Sequence, residues 1–507
     1  MTKHYYITTP IYYVNDKPHI GHAYTTLACD VIARFMRLDG YTVKFLTGTD
    51  EHGQKVEKAA IEAGKTPQDF VNEFSQNFRS LCERMNFSHD DFIRTTEERH
   101  FKSATAFWQR LAEHDAIYLG SYAGWYAIRD EAFYTESELV NGKAPTGAEV
   151  EWVEEPSYFF RLSKFQDKLL AFYEHNPHFI APLSKRNEII NFVKGGLRDL
   201  SISRTSFKWG IPVPGDPRHV MYVWIEALCN YITALGFPDM DAPTFQDFWP
   251  AQLHMVGKDI LRFHTVYWPA FLIAADIAPP KRVFAHGWWT KDGDKISKSL
   301  GNTMDPLELI DQYGLDQTRY FLLREVPFGG DGDFSKNAMV NRINSNLSND
   351  LGNLVQRTAS MVYKNCDGKI PLPHSLQESD LALIHAAEAI LPSLRENMKE
   401  QALHKVLDTI WQVVGAANRY VDSEAPWVLL KTDMTRMETV LYTLMETIRH
   451  LGLYLQPFMP DSAAKILDLL GVDSEERTFG HRGKQYRLRG NTPIQEPTPI
   501  FPRYVED

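Results

Sequence analysis

The sequence predicts a Rossmann-type α/β domain built on a parallel sheet, interrupted by a mixed α+β insertion and followed by an all-α helical bundle. Three observations carry this reading. A short β-prone run at residues 4–8 crosses a loop into a helix whose apolar positions, Tyr24, Leu27, Ala28, Val31, Ile32 and Phe35, keep i, i+3, i+4, i+7 spacing. Near residue 117 that texture gives way to alternating aromatic and polar residues, and it resumes at Val220. From about Leu307 onward nearly every stretch has helical periodicity.

The first loop, TTPIYYVNDKPHIGH at residues 8–22, organises the rest. Gly21 stands where the helix starts, so only backbone separates His19 from His22. Backbone N–H groups at a helix start, with the helix dipole behind them, attract phosphate. Imidazoles at i and i+3 share a face there and can donate hydrogen bonds to phosphate oxygens. The plain alternative is a surface helix start with two incidental histidines, and a partner loop downstream decides between them.

The next segment, YTVKFLTGTDEHG at residues 41–53, reads as a buried strand through Val43, Phe45 and Leu46, ending in a turn at its carboxyl end. Ligands bind at that end of open parallel sheets. Asp50 there suits a ligand ammonium; taken alone it reads as a helix N-cap. Thr66 and Pro67 read as a cap and first-turn proline, and Phe70, Phe74, Phe78 and Leu81 as core. Within 117–214, GSYAGWYAIRDEAFYTESEL, the turn NGKAPTG and WVEEPSYFFRLSKF indicate antiparallel strands, with helices after them. Arg198 and Arg204, in the basic stretch 194–208, read as phosphate contacts or as surface charge. The α/β pattern returns in VMYVWIEALCNYI, QLHMVGKDI, LRFHTVYWPAFLIAA and RVFAHGWWTKDG.

In the bundle, Ile343, Leu347, Leu351 and Leu354 open a long amphipathic helix, with further helices expected at 381–397, 403–420, 437–453 and 461–470 and a Pro-rich extended tail. The expected boundaries are 1–116 and 215–290 for the two halves of the parallel-sheet domain, 117–214 for the insertion, 291–338 for a connecting region and 339–507 for the bundle.

With 507 residues, 44% hydrophobic and 23% charged, the composition is that of a soluble globular protein. No run approaches the roughly 18 apolar residues of a membrane span, and the N-terminus lacks an apolar signal core, so a cytoplasmic location is expected. Cys29, Cys82, Cys229 and Cys366 are far apart, with no CxxC, which argues against a zinc knuckle or a disulfide framework. The net charge of −11 argues mildly against non-specific nucleic-acid binding. A local basic track remains open, with Lys194, Arg198, Arg482, Lys484, Arg487 and Arg489 available to it.

The partner loop is Lys295-Ile296-Ser297-Lys298-Ser299, just after a Gly-Asp turn. Two lysines three apart among small hydroxyl residues make a cationic loop that can close on polyphosphate and stabilise charge on a leaving pyrophosphate. Alone, such a pair reads as a solvated face. Paired with the two histidines across an interrupted parallel sheet, it does not.

At these residues the chain resembles the methionyl-tRNA synthetase family of class I aminoacyl-tRNA synthetases, over essentially its full length. His19, Ile20, Gly21 and His22 match the family's HIGH motif, and residues 295–299 its KMSKS motif, with Ile296 in the methionine slot. The resemblance implies activation of L-methionine by ATP with Mg2+ and release of pyrophosphate, then transfer to the terminal adenosine of tRNA(Met) with its CAU anticodon. It assigns catalysis to His19, His22, Lys295 and Lys298. It places ATP against those residues and Gly21, Gly257, Asp259, His286, Gly287 and Trp288. For methionine it implies Ile11, Tyr12, Trp224, Ala227, Leu228, Tyr231, Ile260, Phe263 and His264, with Asp50 on the ammonium. A polarisable thioether packs well against such rings. Asn353, Arg357 and Trp427 match the anticodon readers; at 100° per residue the first two lie off the Leu347, Leu351, Leu354 stripe. The insertion contains no cysteine, so no metal ligands and no zinc are expected, and without a further C-terminal domain a monomer is expected.

Three other readings compete. A synthetase for another apolar amino acid is disfavoured by the pocket residues and the small insertion. A non-catalytic tRNA-binding paralogue is disfavoured because both histidines, both lysines and Asp50 are present. A nucleotidyltransferase for a small metabolite would leave the bundle without a role.

Overall fold

The structure, a computed structural model, describes residues 3–14, 17–130, 132–296 and 304–506. It divides into two compact units, one of Met1–Lys3, His19–Val43 and His286–Asp507, the other of His4–Pro18 and Lys44–Ala285.

The second unit carries the main sheet: β1 (Lys3–Thr8), β2 (Tyr12–Tyr13), β3 (Tyr41–Asp50), β4 (Asp91–Arg94), β5 (Ile180–Ala181), β6 (Leu253–Gly257) and β7 (Val283–His286). Their order is β2-β3-β1-β6-β7-β5, with β4 also on β3. β1 runs parallel to β6, β2 and β4 to β3, and β5 to β7. The chain winds from β1 out to β3 on one side and later returns to β6 on the other. The carboxyl ends of β1 and β6 therefore flank a topological switch point, where open α/β sheets bind ligands. Thr66 caps the helix Pro67–Arg84 by accepting from Asp69 N–H, with Pro67 in its first turn, and Phe70 and Phe78 are buried.

Two expectations about this sheet need correction. The strand entering at Val220 is Asp216–Met221, and it pairs antiparallel with Ser203–Arg204 and Pro212–Val213 rather than joining the parallel sheet. Conversely β5, from within 117–214, forms the sheet's edge beside β7. Both follow from long-range pairing, which apolar runs do not encode. The insertion's own sheet is antiparallel as expected, with Ile117–Ala127 between Ala132–Tyr134 and Glu151–Phe160 and with Leu200–Ser201 at its edge.

In the first unit, the helix Ile20–Leu38 belongs with the bundle. Buried Asp30 accepts from Arg319 Nη2 at 2.7 Å, and Arg319 also donates to the carbonyls of Pro457 and Phe458, each at 2.9 Å. A buried pair is tolerable only when its remaining donors are satisfied this way. At the helix's other end Asp39 pairs with Arg395.

The bundle departs from its sequence reading in three places. Ile343, Leu347 and Leu351 are buried, but on a π-helical stretch, Arg342–Gly352, before the α-helix Asn353–Asn365. The expected helix 381–397 is two, Glu378–Glu388 and Leu391–Lys399, because Pro392 cannot continue an i→i−4 ladder and instead opens the second. Trp427 lies on a short helix, Pro426–Thr432, after Ala425 in the left-handed region. The extended tail is tied down, with Ile370 and Asn491 bonding backbone to backbone and Phe501 buried.

Candidate active site

In the first unit, His19 is the N-cap of Ile20–Leu38 and the two histidines cap one another. Gly21 N–H donates to His19 Nδ1 and His19 N–H to His22 Nδ1, each at 3.0 Å. A backbone N–H can only donate, so each Nδ1 presents a lone pair and the ring proton sits on Nε2. Burial, then the His19 ring, push the His22 pKa well below its ordinary value. The rings lie with centroids 3.9 Å apart. An added Cβ at Gly21 would lie 2.9 Å from His19 Cε1, so a larger residue here displaces the His19 ring from its capping position. The motif is thus a helix start that presents two neutral N–H donors to an anion.

Thr25, one turn on, has its hydroxyl 3.0 Å from Gly21 O and 2.7 Å from His286 Nε2, which brings His286 to the same helix. At Gly287 a Cβ would stand 2.2 Å from Gly330 O, so only glycine lets the two backbone segments approach. Trp288 is exposed, its N–H bonded to Asp331. Lys295 ends the two-residue strand Asp294–Lys295. Lys298 lies outside the described residues.

In the second unit, Tyr222 and Ala227 form a buried pair against which Ile11, Tyr13 and Trp224 pack. Trp224 and Phe263 stack in parallel, centroids 3.6 Å apart. Leu228 is buried and Ile260 is partly buried in the larger core. Gly257 ends β6, and Asp259 follows on an exposed 3-10 turn at the switch point. Tyr12 needs correction: its ring stacks on Phe78 at 5.7 Å. Side chains alternate along extended backbone, so Tyr13, two residues after Ile11, takes the position facing Tyr222 and Ala227. The period-2 alternation of extended backbone is the sequence signal that distinguishes Tyr13 from Tyr12.

Asp50 closes β3 opposite Tyr13. The expected N-cap role falls to Gly53, which starts Gln54–Glu62 without a side-chain cap. The turn beyond Asp50 is held tightly. Buried Glu51 accepts from Thr49 Oγ1, Arg94 Nε and Nη2 and Thr96 Oγ1 at 2.5–2.9 Å, and its carbonyl accepts from Trp209 Nε1. Arg204, read as phosphate contact or surface charge, is not surface charge. It is buried, donating to Ser201 Oγ and Ser203 O, its guanidinium 4.3 Å from the Tyr222 ring centroid.

His264 is buried; its Nδ1 donates to Ile260 O at 2.9 Å, so Nε2 accepts from Tyr231 hydroxyl at 2.7 Å. Burial pushes its pKa down to about 4. Below about pH 6.5 the unfolded chain binds a proton at this residue that the folded chain refuses, so stability falls as pH drops from there to about 4. Each such histidine contributes on the order of 1 kcal/mol per pH unit in that window. Urea unfolding at several pH values should therefore show a shallower acid loss for His264→Gln than for the parent; parallel slopes would refute the neutral assignment.

In the bundle, Asn353 is exposed and Arg357 partly so, lining a cleft of about 380 Å³ with Trp411, Asn418 and Asp422. Trp427 is 42% exposed, and the Arg357 guanidinium sits 5.3 Å from its ring centroid. Of the basic cluster, Arg487 is paired with Glu388, while Lys484 and Arg489 are exposed. Among the described residues no group of three or more His, Cys, Asp or Glu side chains could hold a metal ion, and no helix is long and apolar enough to cross a membrane.

Comparison with known proteins agrees across both units. The profile of the family described as tRNA synthetases class I (M) matches residues 5–151 and 137–359, and that of the anticodon binding domain of methionyl tRNA ligase matches 370–506. Methionine–tRNA ligase of Rickettsia bellii is 59% identical over 100% of both chains, and that of Brucella suis 55% over 99% of this chain and 98% of its own. Among solved structures, Mycobacterium tuberculosis methionyl-tRNA synthetase in complex with methionyl-adenylate aligns with a TM-score of 0.96 at 52% identity, covering 99% of this chain and 100% of that one. With a mutually capped histidine pair, an aromatic cluster around Trp224 and matches that run through both the sheet and the bundle, the chain belongs to the methionyl-tRNA synthetase family of class I tRNA synthetases.

Proposed function

We infer that the chain activates L-methionine with ATP, releasing pyrophosphate, and transfers the methionyl group to tRNA(Met). The observation that carries the choice of amino acid is the cluster of Ile11, Tyr13, Trp224, Ala227 and Phe263 beside Asp50, which we take as the wall of the amino-acid recess. It joins apolar and aromatic surface, suited to a thioether, to a carboxylate suited to an ammonium. Tyr231 and His264 supply a polar hydrogen-bonded pair from the same segments.

In the first step a methionine carboxylate oxygen attacks the α-phosphorus in line, and the bond to the pyrophosphate oxygen breaks. In the second, the terminal ribose hydroxyl of tRNA attacks the adenylate carbonyl and AMP leaves. No side chain becomes covalently attached, so positioning and charge stabilisation carry the rate. His19 and His22 donate from Nε2 to phosphate oxygens, and Lys295 and Lys298 meet the charge that grows on pyrophosphate. Gly257 and Asp259 serve the ribose, and His286, Gly287 and Trp288 the adenine. Asn353, Arg357 and Trp427 read the anticodon. Mg2+ neutralises phosphate charge when bound and takes most of its ligands from ATP and water; the described residues do not form a site for it, and no step is assigned through it. The proposed chain acts as a monomer, in the cytoplasm, without zinc. Residues 1–116 and 215–290 make the catalytic domain, 117–214 the insertion, 291–338 the KMSKS loop and stem-contact region and 339–507 the tRNA-reading bundle with its extended tail.

ATP–pyrophosphate exchange, measured with each of the twenty amino acids, Mg2+ and no tRNA, tests this. Strong exchange with methionine alone is expected. Exchange with leucine or valine would overturn the recess assignment, and no exchange from protein that still binds tRNA would favour the non-catalytic paralogue.

A further inference from the structure

Glu226 lies in the short helix Val223–Leu228, between Trp224 and Ala227 in sequence, and its side chain is wholly buried. Its Oε1 accepts from His52 Nδ1 at 2.6 Å and lies 3.4 Å from His100 Nε2. His52 follows Asp50 by two residues. Side chains 174 positions apart thus join the helix that walls the recess to the turn that carries its carboxylate.

This is an expensive way to fill a core. Burying a carboxylate costs several kcal/mol unless its partners compensate. Burial raises the Glu226 pKa, but His52 and then His100 outweigh it and hold it below the usual carboxylate range. His100 Nδ1 lies 3.2 Å from Thr233 Oγ1, whose own proton goes to Cys229 O. Nδ1 therefore donates, and Nε2 faces the carboxylate favourably only if it also carries a proton. Glu226 Oε2 has no hydrogen-bond partner among the described residues. An apolar side chain would pack here at lower cost, so stability alone does not account for the group.

The turn 50–52 is gripped on both sides. Glu51 bonds toward β4 through Arg94 and Thr96, and His52 bonds toward the wall helix through Glu226. Asp50, the last residue of β3, directly precedes those two anchors. We propose that Glu226 is a positioning residue for amino-acid binding: through His52 it holds the Asp50 turn at a fixed separation from the wall of the recess, without touching substrate. The proposal rests on the assignment of that recess to methionine.

Glu226→Gln nearly preserves volume and can keep an oxygen toward His52 and His100, but it removes the charge that both rings face. In ATP–pyrophosphate exchange it should raise the methionine KM about tenfold, about 1.4 kcal/mol, while the ATP KM moves less than about twofold. His52→Gln, which keeps the buried carboxylate but carries its amide at the Nε2 rather than the Nδ1 position, should raise the methionine KM about threefold by the same split. Asp50→Asn is measured alongside. If Asp50→Asn leaves the methionine KM unchanged, the recess assignment itself fails. If Asp50→Asn raises it and neither Glu226→Gln nor His52→Gln does, or if they raise both KM values alike, the positioning role is overturned and the cluster is only structural. Should Glu226→Gln not fold, His52→Gln and its ATP-to-methionine split decide alone.

Discussion

His22→Ala slows methionine-dependent ATP–pyrophosphate exchange by about two to three orders of magnitude, while equilibrium methionine binding changes less than about twofold. The reason is the proton on Nε2. Because His22 Nδ1 accepts from His19 N–H, the ring is a fixed neutral donor at a helix N-terminus, where the dipole favours anions. Its depressed pKa keeps it neutral through the physiological range, so this group adds no pH dependence to the rate above about pH 6.5. The substitution also removes part of the cap, worth about 1 kcal/mol. His22→Asn separates the two effects: its side-chain oxygen can still accept from His19 N–H, restoring thermal stability, yet it cannot reach as the imidazole does. Stability restored with exchange still slow supports a role at phosphate; recovery of both would reduce His22 to a cap. Lys298→Ala should show the same split between rate and binding, because its partner charge develops only as pyrophosphate leaves.

The second large effect is expected at the far end of the chain. Trp427→Ala lowers kcat/KM for tRNA(Met) by about ten- to a hundredfold in aminoacylation, and tRNA-free exchange stays within about twofold. Trp427 is a large ring exposed on a seven-residue helix, with a guanidinium beside its face. Single-stranded bases are bound by stacking on such surfaces and by edge hydrogen bonds, which Asn353 and Arg357 can supply. Arg357 also lies 3.7 Å from Asp422, an exposed pairing of little strength that a base can displace. Loss of exchange and aminoacylation together would mean that the substitution damages the fold, and no change in either would remove Trp427 from the tRNA surface.

Much of this was legible because it is local. The histidine pair declares itself through a glycine and a helix start, and the cap geometry follows from residues within four positions of each other. Trp224, Ala227 and Tyr231 stand in one short segment, and helical periodicity picked out Leu347, Leu351 and Leu354. Where local rules compete, one neighbouring residue changed the outcome, as Pro392 did in splitting a helix.

What the sequence by itself determined is therefore the order of elements, the anion-binding helix start, the aromatic composition of the recess and the outward face of the bundle. The tertiary structure alone decided which strands pair, so that Asp216–Met221 left the parallel sheet and Ile180–Ala181 entered it. It also sent the Tyr12 ring to Phe78 while Tyr13 packed toward Tyr222 and Ala227, and buried Arg204 among aromatic rings. Above all it joined His52 and His100 to Glu226. Periodicity reports which face of an element is apolar; a buried charge is specified by its partners, and here they come from distant segments that only folding brings together.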